Sequence, residues 1–165
     1  TPLYLRSLHF SWHEIGIIFT LMLLPFVFLQ YPLGILADKR LGEKELLIGS
    51  IVIVILSTFA LGFLGAQSLF IWGAALLVTR IGIAGIEVLR DSYFYKQIDG
   101  DHLDMIAFFR TARPAANILG ALLSAILLLF FPLQSIFFLV ALILLFSLFT
   151  AFALDDTESE REVRA

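Results

Sequence analysis

Between residues 46 and 64, and again between residues 134 and 154, the chain carries no charged side chain. An apolar run of about 20 residues is what an α-helix needs to cross the hydrocarbon core of a bilayer. Three further runs of comparable length, punctuated by a few charges, fill nearly all of the remaining sequence. Of the 165 residues, 60% are hydrophobic and 15% charged, with a mean hydropathy of +0.97, far from the balance of a soluble domain. The expectation is all-α: a polytopic membrane helical bundle of five transmembrane helices forming a single domain. The spans fall at about 12–37, 45–64, 68–96, 102–131 and 134–154, with a cytoplasmic tail at 155–165.

The net charge of -3 comes mainly from the acidic tail at 155–162 and gives no case for nucleic acid. Without cysteine, disulfides, thiolate metal sites and thiol catalysis are excluded. The chain opens on Thr1 with a loop-like TPLYLR rather than a basic n-region and a short apolar h-region. This reads as no signal peptide and as a piece of a longer protein.

Residues 1–12 read as an exposed connection leading to Ser11, a candidate helix cap. The first span contains Pro25 and Pro32, each removing a backbone donor and bending the helix. Lys39, Arg40, Lys44, Lys96, Arg161 and Arg164 fall on one side of the five spans, and the other side has only Arg6. By the positive-inside rule, the amino end faces out and the tail lies in the cytoplasm.

Between the first two spans runs GILADKRLGEK. Asp38 ends the first span, the cations Lys39 and Arg40 suit a helix carboxyl end, and Gly42 permits a backbone reversal. A solvated positive-inside turn explains this chemistry as well. The order Gly34, Asp38, Lys39, Arg40, Gly42, Lys44 is more specific. It resembles the loop signature GxxxD[RK]xG[RK][RK] of the major facilitator superfamily, found between the second and third helices of each six-helix half. Two departures stand out: Gly42 lies four residues after Asp38 where the family usually has three, and Glu43 replaces a basic residue.

The resemblance covers most of the chain, because the PFVFLQYPLGILAD run and the later spans follow the order and lengths of such a half. It implies half of a major-facilitator-type fold, with the second and fifth spans peripheral. The short tail after the fifth span favours helices eight to twelve of a twelve-helix transporter over helices two to six.

The third and fourth spans carry the intramembrane charge. Arg80, Glu87, Arg90 and Asp91 lie in one, and Arg110, Arg113 and Asn117 in the other. Each charge at the bilayer centre costs about 2.5 to 3.5 kcal/mol on insertion scales, so such groups face protein or water. An antiparallel hairpin turning near Gly100 places Glu87 level with Arg113, and Asp91 level with Arg110. The Asp91–Arg110 pair reads mainly as a structural pin. Glu87, Arg113 and Asn117 read equally as a pin or as a lining of the transport pathway. Arg80, deeper and without an evident partner, is the best candidate for an anionic substrate or a conformational lock, with internal packing nearly as good an account. Gly82 and Gly85 permit close approach of another helix, and Ala112, Ala116, Gly120 and Ser124 form a second small-residue row read as packing.

His9, His13 and Glu14 make a poor metal motif without a third defined ligand. His102 among Asp99, Asp101 and Asp104 is explained by capping of the fourth helix. No metal, cofactor or catalytic set is expected.

The functional expectation is transport of a small solute by a secondary active transporter working by alternating access. Its expected partners are a small-molecule substrate, the lipid bilayer, read as that of the plasma (inner) membrane, and the missing transporter half. Two rivals remain at this level. A membrane-embedded enzyme would need a compact set such as paired carboxylates around a metal, and the third possibility is a non-transporting scaffold or receptor.

Overall fold

The computed structural model describes residues 1–37, 42–65, 68–96 and 103–154. Among these, every regular element is helical: α1 (Pro2–Ser7), α2 (Trp12–Leu21), α3 (Leu24–Leu36), α4 (Glu43–Leu61), α5 (Leu69–Lys96), α6 (Leu103–Leu128) and α7 (Ser135–Phe152). Five segments are long and apolar enough to cross a membrane, with α2 and α3 acting together as one and α4 to α7 supplying the rest.

The first span is not one bent rod. It starts as the sequence leads one to expect, at Ser11: its hydroxyl accepts from the Glu14 N–H, and the Glu14 carboxylate accepts from the Ser11 N–H at 2.8 Å. This reciprocal cap satisfies two donors that the first turn leaves open. The helix then breaks at Met22 and Leu23, before the first proline rather than at it. Pro25 has no N–H, and its ring collides with the carbonyl four residues upstream, so the preceding turn yields. The chain resumes as α3, with Pro25 in its first turn, where a missing donor costs nothing, and continues through Pro32 without a second break.

Residues 1–12 are not the exposed connection that their short length implies. Pro2 starts the single-turn helix α1, which buries Tyr4 and Leu5; Phe10 is buried just after it. The Tyr4 ring meets Trp72 of α5 and Phe137 of α7 edge-on, at centroid distances of 5.5 and 5.2 Å. Three rings so arranged bury a large area and gain from their edge-to-face geometry.

Two apolar clusters hold the bundle, one at each end. Tyr4, Leu5, Ile18, Leu61, Trp72 and Phe137 belong to the first, and Ala37, Leu47, Ile51, Ile55, Leu89 and Ala151 to the second. Helix α5 is the central rod, packed by α4, α3 and α2, and α7 packs against the other side of α4. Helix α4 approaches α5 closely at the two glycines. A Cβ on Gly82 would stand 2.5 Å from Val54 Cγ2 and 3.0 Å from the Ser50 carbonyl oxygen, and one on Gly85 would collide with the Ser50 hydroxyl. At the far end of this sheaf the Gln134 amide donates to the Gly62 carbonyl, tying the start of α7 to the end of α4.

Helix α6 stands apart. None of its residues from 105 to 128 is buried, and it shares no extended interface with any other helix among the described residues. The row Ala112, Ala116, Gly120, Ser124 receives no helix among the described residues. The space beside Gly120 is open.

Candidate transport pathway and charge network

Helix α6 meets the bundle through a few contacts with α5. Arg113 donates from a terminal guanidinium nitrogen to Glu87 Oε1 at 2.8 Å, the pairing expected of an antiparallel hairpin. One helical stretch nearer the turn, Phe94 stacks on Phe109 with centroids 3.7 Å apart and the rings 11° from parallel. Arg90 lies over that same Phe109 ring at 5.2 Å.

The second expected pair is not formed. Asp91 accepts from the Nε and a terminal nitrogen of Arg90, at 3.1 and 2.7 Å. Arg110 is exposed on α6 and pairs with none of the described residues. The reason is local: Arg90 reaches its neighbour's carboxylate without crossing between helices. Asn117 is likewise exposed on α6.

The Glu87–Arg113 pair is 27% and 65% exposed on its two sides, so the attraction is modest, roughly 1 kcal/mol on the scale of exposed pairs. We expect Glu87→Arg and Arg113→Glu each to lower the thermal stability of the full-length protein. The double exchange should recover at least half of the summed loss in a double-mutant cycle. Additive losses would show that the two side chains do not act as a pair.

Arg80 sits near the middle of α5, on the bundle side of the helix. Its guanidinium carbon lies 4.2 Å from the centroid of the Phe26 ring of α3, close enough for a cation–π attraction of about 0.5 to 2 kcal/mol. That covers only part of the ~2.5 to 3.5 kcal/mol cost of a central charge. The Nε of Arg80 is buried without a hydrogen-bond partner.

Of the loop residues, Asp38, Lys39 and Arg40 lie outside the described residues. Gly34 is in the last turn of α3, and Lys44 in the first turn of α4. Gly42, the residue before α4, adopts φ 71°, ψ 160°, a conformation essentially restricted to glycine, and its N–H closes the turn onto the Ala37 carbonyl at 3.2 Å. The cluster of Asp99, Asp101 and His102 also lies outside the described residues. Glu14 is committed to capping Ser11 rather than to the neighbouring histidines.

The sequence reading missed Glu43 as a site. Only 1% of its side chain is exposed; it pairs with Lys96 and accepts from the Ser92 hydroxyl at 3.2 Å. An acid in the first turn of α4 and a base in the last turn of its antiparallel neighbour α5 each complement a helix dipole. That complementarity was the available signal.

Five membrane-length helices among the described residues, a glycine-mediated central contact and charged side chains well inside the third and fourth spans define a multi-pass integral membrane protein built as a helical bundle. The Major Facilitator Superfamily model matches residues 1–165, and the chain belongs to that family of transporters. No curated protein and no solved structure gives a significant match.

Proposed function

We propose that this chain supplies helices eight to twelve of a twelve-helix secondary transporter that moves a small solute by alternating access. The carrying observation is the face of α6 bearing Arg110, Arg113 and Asn117. These residues are spaced to lie on one stripe, they are exposed in this chain, and among the described residues Arg113 alone of the two arginines has an ionic partner. Such a stripe is expensive against acyl chains and inexpensive against water or a second protein half. Residues on the other side of the same helix, Leu119 and Leu122, are exposed and apolar, as a lipid-facing surface requires.

In this reading the polar stripe borders the pathway, and the second half of the transporter closes over it. Glu87 and Arg113 bridge the two helices that must shift as the halves rock. The bias of Lys and Arg supports an orientation with the amino end outside and the tail in the cytoplasm.

Because the chain has no cysteine, single thiols can report on this face once any cysteines elsewhere in the full-length protein are replaced. We expect Asn117→Cys to react with a charged, membrane-impermeant thiol reagent in proteoliposomes, and Leu119→Cys to react at least tenfold more slowly. Equal rates at both positions, or a faster reaction at Leu119→Cys, would remove the support for a pathway along this stripe.

A further inference from the structure

The cation at mid-membrane borders an unfilled space. Helix α5 is 28 residues long, and Arg80 lies within one turn of its midpoint. A cavity of about 420 Å³ opens beside it among α1, α2, α4, α5 and α7, with Leu128 at the end of α6 also on its wall, within the size range of small-molecule sites. Its walls are mostly apolar, including Phe19, Met22, Leu76 and Ile136, and no acidic residue among those described lines it. The exceptions include Thr79, which donates its hydroxyl proton to the Ala75 carbonyl, and Thr58, buried on the facing wall of α4.

The Phe26 ring covers one face of the guanidinium, and no described residue accepts from its in-plane donors, the buried Nε among them. A planar fork of donors suits an oxyanion above other partners. An uncharged ligand would leave the cation uncompensated, a cationic one would be repelled, and a small hydrated anion would leave the apolar walls uncovered.

We propose that this cavity binds an amphipathic organic anion: one carboxylate or similar oxyanion accepting from Arg80, with an apolar body lying among Phe19, Met22, Leu76 and Ile136. The inference rests on the transport reading only for the fate of the ligand, which is then the solute carried.

The test uses full-length protein in an uncharged detergent, with octanoate as probe and octanamide and acetate as its uncharged and headgroup-only counterparts. Binding is read from the concentration dependence of the melting temperature, since a ligand of the folded state stabilises by mass action. Octanoate should bind at least tenfold more tightly than either counterpart. Arg80→Gln should abolish the preference for octanoate over octanamide, and Arg80→Lys should restore part of it. Equal binding of octanoate and octanamide by the unaltered protein overturns the proposal without recourse to any variant, as does an undiminished octanoate preference in a folded Arg80→Gln protein. Repeating the titration in phosphatidylcholine nanodiscs with and without phosphatidylglycerol separates the two sources of such an anion: competition by phosphatidylglycerol identifies a lipid headgroup, and its absence a free solute. Octanoate binding without uptake into proteoliposomes would count against the transport reading and leave the anion site standing. Uptake of an uncharged solute by a protein indifferent to octanoate would do the reverse.

Discussion

Gly82→Leu should leave the full-length protein unable to assemble its α4–α5 contact, with a loss of about 3 kcal/mol or more in stability. The first added carbon already stands 2.5 Å from Val54 Cγ2 and 3.0 Å from a backbone oxygen, that of Ser50. A valine methyl can rotate away, but the carbonyl belongs to the body of α4 and moves only if the helix moves. The rest of a leucine side chain would then have to enter the most extensive interface of the bundle. Gly73 is the internal control, because it lies on the same helix and a Cβ there would meet nothing within 4 Å. Gly73→Ala should be neutral or stabilising by up to about 0.5 to 1 kcal/mol, as expected when a helix-interior glycine gains a side chain at no steric cost. Thermal unfolding and the monodisperse fraction in detergent would show both effects. Equal behaviour of Gly82→Leu and Gly73→Ala would refute the close approach.

The contrast between those glycines shows what was legible before the structure. Gly82 and Gly85 were readable as points of close approach because small residues in a membrane helix have few other uses. Which helix came close was not readable, since that depends on the register of α4 against α5. The spans were plain from apolar runs alone, as bilayer thickness leaves little freedom in their length. Their interruptions were harder: the proline positions are explicit in the sequence, yet the break falls at Met22 and Leu23, where the clash is relieved. Six residues give α1 too little periodicity to be recognised, and what fixes it is the remote contact of Tyr4 with Trp72 and Phe137. The pairing of Glu87 with Arg113 followed from depth in an antiparallel hairpin, which is a coarse coordinate. Depth could not resolve the competition between Arg90 and Arg110 for Asp91, where Arg90 is one residue away and needs no crossing between helices.

Lys96→Met should destabilise the protein by about 2 kcal/mol, while the double variant Glu43→Gln with Lys96→Met should lie much closer to the unaltered chain. Removing one partner of a buried ion pair costs about 3 to 5 kcal/mol, because the other charge stays buried. Lys96 is 41% exposed, so solvent already screens part of the attraction and the lower figure is appropriate. Glu43 has no such relief, being 1% exposed. When Lys96 is lost, its carboxylate keeps the Ser92 hydrogen bond but loses a cation that compensates burial. Glutamine in its place retains a carbonyl oxygen for Ser92 and carries no charge, so the second substitution relieves the defect made by the first. Melting temperatures of the two single variants and the double variant would measure this. A double variant no more stable than Lys96→Met alone would mean that the Lys96 effect does not come from the charge left on Glu43. The same three proteins bear on the proposed transporter cycle: Glu43 opens α4 directly after the turn closed by Gly42, and Lys96 ends α5, the helix that carries Arg80 and Glu87. A pair that ties the start of one helix to the end of the other holds their register at the face proposed to be cytoplasmic. Loosening it should therefore change the reactivity of an Asn117→Cys thiol, even in the double variant whose stability is restored.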